Sequence, residues 1–191
     1  MLLEKSSVDR PEGNIIRPQF RNELLNQHRP AVVIWTSFII AIFLYLLIAQ
    51  LILGNPKFSG AYSFSETARK ILWLLTFVDV GYFVWWKKRF LTREAILGEA
   101  KKFKLLQALG GHKTPLEEHA AKIVSSYITG KIVGFALIEA VAVYGLVLAL
   151  IGRYLWDQYL LSAASAALLL RELPSKAFLE ELIRDVEGER G

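Results

Sequence analysis

The chain contains no cysteine among its 191 residues. A chain without thiols forms no disulfide, and it offers no thiolate nucleophile, no cysteine-ligated zinc and no iron–sulfur cluster. The sequence also lacks several motifs of nucleotide-binding and hydrolytic sites, namely a Walker motif, G-x-G-x-x-G, G-x-S-x-G and H-E-x-x-H. These absences predict a protein that is not an enzyme and that binds no cofactor.

Histidine is scarce, and His28, His112 and His119 all lie in polar segments. His112 and His119, together with Glu117 or Glu118, are one alternative for a metal site. Their spacing matches no strong zinc pattern. We therefore predict solvated side chains here and no bound metal.

Apolar residues make up 53% of the chain, and they are concentrated in four runs, of which the first contains no charged residue. A helix needs about 20 apolar residues to cross ~30 Å of hydrocarbon. The sequence therefore predicts an all-α, polytopic membrane protein with four transmembrane helices, at about residues 31–54, 71–86, 123–152 and 155–170.

Three polar segments flank or connect these runs. For residues 1–30 we predict an N-terminal tail that lies along the membrane surface, with a short helix near residues 20–27. Residues 87–122 form a basic connector, in which apolar residues at helical spacing between positions 93 and 109 indicate an amphipathic helix on the inner leaflet. Residues 173–191 predict a C-terminal amphipathic helix.

Three polar residues have the character of helix N-caps. Ser65 precedes the second apolar run, and Ser175 precedes the C-terminal helix. Thr114 followed by Pro115 begins a helix that we expect to continue without interruption through the third run.

Lysine and arginine are distributed unequally between the two sides of the predicted membrane domain. The tail, the connector and the C-terminal segment, counted from Arg171, carry 18 of them, whereas the two loops between spans carry 4. The positive-inside rule then predicts a multi-pass protein of a bacterial inner membrane with both termini in the cytoplasm.

The connector lacks the interleaved aromatic residues of single-strand nucleic-acid sites. We predict that it binds the bilayer and its anionic lipid headgroups rather than nucleic acid. The residues expected to do so are Lys87, Lys88, Arg89, Lys101, Lys102 and Lys104.

Two acids, Asp79 and Glu139, fall near the middle of the second and third predicted spans. A charged group at this depth costs about 3 kcal/mol on insertion scales, so such residues usually bind a partner or an ion. Antiparallel helices would bring the two acids together at the midplane. One interpretation is a site that carries a proton or a cation; the other is a protonated acid that hydrogen-bonds to a neighbouring helix. Lys131 either extends to the cytoplasmic interface or pairs with Asp79.

Small residues surround Glu139 on the third predicted span. Small side chains allow helix backbones to approach closely in lipid, either within one bundle or between subunits of an oligomer. The predicted helix-packing residues are Gly130, Gly134, Ala136, Ala140 and Gly145.

The stretch GFALIEAVAVYGLVLALI, with a central glutamate followed by a Tyr-Gly-Leu-Val run, resembles the carboxyl-terminal helix of the proteolipid (c) subunit of rotary ATP synthases. That resemblance implies an ion-binding Glu139 and a supporting Tyr144. The chain as a whole also resembles small four-span bacterial membrane proteins.

Two functional hypotheses follow. The first is a small accessory or scaffold subunit of a membrane complex, which contacts other membrane subunits or further copies of itself. The alternative is a proton- or cation-coupling transport component that uses Glu139 and Asp79. The first is favoured because four spans rarely enclose a complete transport pathway.

Overall fold

The computed structural model describes residues 16–58, 60, 62–99 and 114–188. In this part of the chain the residues form helices and no strand, so the predicted all-helical class is confirmed. The helices are α1 (Pro18–Asn26), α2 (His28–Leu53), α3 (Ser65–Phe90), α4 (Arg93–Glu99), α5 (Pro115–Gly152), α6 (Leu155–Arg171) and α7 (Lys176–Gly188).

The central element is α5, which has 38 residues and is therefore about 57 Å long at 1.5 Å per residue. Its start follows the predicted pattern, since Thr114 accepts a hydrogen bond from the Glu117 backbone N–H and Pro115 occupies the first turn. The helix continues to Gly152 without a break. The predicted cap and the predicted uninterrupted helix are both confirmed.

The C-terminal part of α5 packs against α2, α3 and α6. We call the end of this bundle at which α3 and α6 finish the basic end, and the end with the α2–α3 loop and the α5–α6 turn the loop end. Apolar side chains from all four helices fill the interior, among them Ile42, Phe83, Phe135, Ile138 and Leu169.

Arg153 makes the tight turn from α5 into α6 at the loop end. Its backbone is left-handed, with φ 59°, a conformation that is uncommon for a residue with a side chain. The Arg153 guanidinium donates hydrogen bonds to the carbonyl oxygens of Phe58 and Leu53, each at 3.2 Å. These bonds join the turn to the end of α2 and to the loop that follows it.

The start of α3 differs from the prediction in a detail. Ser65 is the first helical residue rather than the cap, and Phe64 occupies the N-cap position. The Ser65 N–H already donates to the Tyr62 carbonyl at 3.0 Å. Because this hydrogen bond already places Ser65 in a turn, Ser65 occupies the first helical position and the cap position falls on Phe64.

At the basic end, α1, α4 and α7 pack on the N-terminal part of α5 around a separate apolar core. Its members include Phe20, Leu24, Ile96, Leu182 and Ile183. The predicted C-terminal amphipathic helix is thereby confirmed as α7, and Ser175 caps it by accepting a hydrogen bond from the Phe178 N–H at 3.4 Å.

This core includes residues of the two segments that were predicted to lie along the membrane surface. Phe20 and Leu24 of α1 and Ile96 of α4 are buried in it, whereas Leu25 and Leu97 are partly buried. Arg93 of α4 also binds Glu181 at 3.0 Å, as well as Asp185. The rest of the predicted tail and connector helix, residues 1–15 and 100–113, lies outside the described residues.

Two helical stretches are long and apolar enough to cross a membrane, Pro18–Leu53 and Pro115–Gly152. The outward faces of the bundle are apolar as well. Large exposed side chains include Ile40, Phe43, Leu47 and Leu51 on α2, Leu74, Phe77 and Val78 on α3, and Leu160 and Leu170 on α6.

We expect Gly145→Ala to destabilise the bundle. A Cβ atom at this position would lie 3.1 Å from the Gln158 Cα and 3.3 Å from its carbonyl oxygen, so α6 would have to shift. Overpacking of this kind costs about 1–3 kcal/mol. Gly81→Ala is the matched control, since no atom lies within 4 Å of a Cβ there. Unfolding of the purified protein in detergent measures both variants, and equal losses of stability would contradict the predicted close contact.

Candidate functional site

Glu139 lies half-buried on the side of α5 that faces α2. The hydroxyl of Tyr45, from α2, donates a hydrogen bond to Glu139 Oε1 at 2.5 Å. Hydroxyl-to-carboxyl bonds of this length are the strong, charge-assisted kind when the acid is ionised. The contact joins two helices whose other facing residues are apolar.

Asp79 of α3 has an equivalent partner on α5. The hydroxyl of Tyr144 donates to Asp79 Oδ2 at 2.6 Å. The two contacts use opposite arrangements, because α5 supplies the acid in one pair and the tyrosine in the other. Both acids therefore hydrogen-bond between helices.

The two pairs lie on different sides of α5. Tyr144 follows Glu139 by five residues, which places it about 7 Å further along the axis and about 140° around it. The expected pairing of Asp79 with Glu139 is replaced by these two tyrosine contacts. The resemblance implied that Tyr144 supports Glu139, but its hydroxyl binds Asp79. The physical reason is that α5 faces α2 and α3 with different sides.

The face of α6 that packs on α5 and α2 is polar. Gln158 is fully buried and donates through Nε2 to the Tyr45 carbonyl at 2.9 Å. Ser165 donates to the Ile138 carbonyl at 2.8 Å. Gln158 Oε1 and Ser162 Oγ are buried and have no hydrogen-bond partner among the described residues. No role was predicted for this face from the sequence. Gln158, Ser162 and Ser165 nevertheless stand at i, i+4 and i+7 of an apolar helix, which is a recognisable signal of a polar face.

The predicted helix-packing residues separate into two groups. Gly130 and Gly134 are buried, and a Cβ on them would approach Leu91 to 2.9 Å and Phe83 to 3.3 Å. Gly145 makes the contact with α6 described above. These glycines therefore pack within one chain. Ala136 is exposed and Ala140 is half-buried, and a packing role for these two alanines stays a prediction.

Glu172, directly after α6, is a buried charged residue to which no role was assigned from the sequence. It is 3% exposed and accepts hydrogen bonds from Lys131 of α5, at 2.7 Å, and from Lys87 of α3. Lys131 accordingly lies at the basic end and pairs with Glu172, not with Asp79. A glutamate directly after a helix gave no sequence signal of burial, because its partners are 41 and 85 residues away.

The charge cluster alters the acidity of Glu172. Burial of the carboxyl raises its pKa, but the hydrogen bonds and charges of Lys131 and Lys87 together outweigh that effect. The pKa of Glu172 therefore lies below its ordinary value of 4.5.

The predicted headgroup-binding residues are described in part. Lys87 is bound to Glu172, whereas Lys88 and Arg89 are exposed near the end of α3. Lys101, Lys102 and Lys104 lie outside the described residues.

Glu117, considered above as a metal ligand, is fully buried and accepts two hydrogen bonds from the Arg17 guanidinium, each 2.7 Å long. Among the described residues, no three histidine or acidic side chains are grouped so that they could hold a metal ion. His112 is not among those residues.

No family model, no curated protein and no solved structure matches this chain.

We expect the stability of the protein to fall in acid partly through Glu172. Because its folded-state pKa is lowered, its contribution is present above pH 4.5 and is lost as the pH falls through the lowered value. Thermal unfolding between about pH 7 and about pH 3 should show a smaller decrease for Glu172→Gln than for the wild type. Glu180→Gln, which changes an exposed pair with Lys176, serves as the control and should retain the wild-type decrease. A Glu172→Gln profile parallel to the wild type would refute this assignment.

Proposed function

We propose that the protein is a four-span integral membrane protein that acts as an accessory or scaffold subunit of a membrane complex. The observation that carries the proposal is the pair of tyrosine–carboxyl hydrogen bonds, Tyr45 to Glu139 and Tyr144 to Asp79. They give both acids at bilayer depth a role in holding helices together. A bundle held in this way presents fixed surfaces to its partners.

The outward apolar surface supports membrane placement of all four helices. α2 exposes seven large apolar residues, and a soluble protein rarely exposes apolar patches of such extent. α3 has 26 residues, or about 39 Å of helix, and its cluster of three basic residues lies in its last turn. α6 has 17 residues, the lower limit of about 17 for a transmembrane helix.

The charge distribution supports an orientation with the basic end in the cytoplasm. By sequence, the tail, the connector and the C-terminal segment from Arg171 onward carry 18 of the basic residues. The described parts of these segments, α1, α4 and α7, lie at the basic end. The N-terminal part of α5, with α1, α4 and α7 packed on it, then extends out of the bilayer. This layer has its own apolar core, which holds its helices in fixed positions. Its outer surface is the one on which we propose that another subunit of a membrane complex docks.

A second candidate function, proton or cation coupling, is favoured by one specific observation. Gln158 Oε1 and Ser162 Oγ are buried, without partners among the described residues, on the face of α6 that contacts Tyr45. Buried oxygens without partners are unusual, and they are suitable ligands for a cation or for a water molecule. In this hypothesis the nearby Glu139 carboxyl would exchange a proton through that polar face.

Cysteine labelling tests the orientation, because the chain has no cysteine of its own. We expect Lys176→Cys, at the basic end, to react with a membrane-impermeant maleimide only after the cells are opened. Asn55→Cys, at the loop end, should react in intact spheroplasts. Both substitutions replace residues outside the apolar faces, so folding should be preserved. Reaction of both positions from the same side would exclude the four-span arrangement.

Substitution of Glu139 separates the two functions. In the scaffold hypothesis Glu139→Gln still accepts the Tyr45 hydrogen bond, so stability and co-purification with partner subunits persist. Glu139→Leu removes the acceptor and should cost on the order of 1 kcal/mol, the usual value of an interhelical hydrogen bond in a membrane. The measurements are unfolding in detergent and proton uptake by proteoliposomes under an imposed gradient.

Glu66→Gln, at an exposed site in the first turn of α3, is the control for loss of a carboxylate. The scaffold hypothesis predicts equal proton uptake for the wild type, Glu139→Gln and this control. Wild-type uptake that Glu139→Gln abolishes and Glu66→Gln preserves would instead establish the coupling function.

A further inference from the structure

A cleft of about 390 Å³ lies at the basic end between the last turns of α3 and α6. Arg69 and Asp157 join the first turns of the same two helices at the loop end, with a distance of 2.6 Å. At the basic end the ion pair of Lys87 with Glu172 bridges the same two helices beside the cleft. The residues that line the cleft include Phe83, Val84, Lys88, Leu168, Arg171 and Glu172.

Apolar and charged lining residues occupy different levels of the cleft. On α3, Phe83 and Val84 come one turn before Lys87 and Lys88, and on α6 Leu168 comes one turn before Arg171. Both helices finish at the basic end, so their apolar residues form one layer and their charged residues form the next. The cleft is therefore amphipathic along the direction of the helix axes.

The charged layer has an excess of positive charge. Its carboxylate, Glu172, already accepts hydrogen bonds from Lys87 and from Lys131. Lys88 and Arg171 are exposed beside this cluster. Phosphate oxygens are suitable partners for such lysine and arginine side chains, and a guanidinium can bind them with two parallel hydrogen bonds.

The apolar layer continues onto the outer surface of the bundle. Val84 is 47% exposed, and its neighbours Trp85 and Leu170 are exposed as well. A soluble anion would use the charged layer alone. A molecule with a phosphate group and a hydrocarbon chain would use both layers and the surface that continues from them.

We propose that this cleft binds one anionic phospholipid, whose phosphate lies between Lys88 and Arg171 and whose acyl chain lies against Val84, Phe83 and Leu168. This inference rests on the membrane placement proposed above. The position of the cleft in the bundle fits the proposed membrane placement. In that placement the charged layer lies at the headgroup level of the inner leaflet and the apolar layer lies in the hydrocarbon. The bound lipid would fill the gap between α3 and α6.

Native mass spectrometry of the purified full-length chain in detergent, with added phosphatidylglycerol or phosphatidylcholine, tests the proposal. We expect the wild type to retain one phosphatidylglycerol in preference to phosphatidylcholine. The double variant Lys88→Gln/Arg171→Gln should lower the affinity for phosphatidylglycerol by about tenfold, since it removes two cations beside the headgroup. Lys176→Gln/Arg184→Gln, with the same change of charge on α7, should bind as the wild type does.

A second variant tests the apolar layer without a change of charge. Val84→Trp fills the space proposed for the acyl chain at an exposed position, so the fold should persist while lipid retention falls. Thermal stabilisation by inorganic phosphate, measured beside phosphatidylglycerol, separates an anion site from a lipid site.

Three results would overturn the proposal. Equal losses in the cleft variant and in the α7 control would indicate nonspecific charge attraction. Unchanged retention in Val84→Trp would exclude the acyl-chain position, and stabilisation by phosphate equal to that by lipid would exclude a lipid ligand. All these measurements are made in detergent, so a failed orientation test in cells is distinguishable from a failed lipid test.

Discussion

Polar side chains on a long apolar helix have to find partners, because an unpaired polar group away from water costs several kcal/mol. Four of the polar side chains of α5 each bind a different part of the chain. Glu117 binds Arg17, Lys131 binds Glu172, Glu139 binds Tyr45, and Tyr144 binds Asp79. These contacts fix the rotation of α5 relative to its neighbours, and the remaining packing is arranged around them.

Small residues on α5 complete this arrangement. Gly130 and Gly134 leave room for Leu91 and Phe83, and Gly145 allows the backbone of α6 to approach at Gln158. Short interhelical bonds and close backbone contacts support each other, since a side chain as short as that of Asp79 reaches a partner only on a nearby helix. Leu91 and Phe83, which occupy the space at Gly130 and Gly134, also line the cleft at the basic end.

The two halves of the molecule bury their apolar residues in different ways. The bundle of α2, α3, α5 and α6 exposes large apolar side chains, whereas the layer of α1, α4 and α7 buries its apolar residues around the start of α5. Glu172, with Lys87 and Lys131, lies where the two halves meet. In the proposed membrane placement this charge cluster marks the headgroup level, beside the cleft proposed to bind a lipid.

The sequence by itself determined the helices, the cap at Thr114, the unbroken course of α5 and the apolar face of α7, because hydropathy, periodicity and capping depend on residues close in the chain. It also identified Asp79, Glu139 and the glycines as unusual. Only the tertiary structure decided their partners, as it decided the burial of α1 and of Glu172. Those outcomes depend on the rotation and register of helices far apart in sequence, and such contacts are set by the packing of the whole chain rather than by any local pattern.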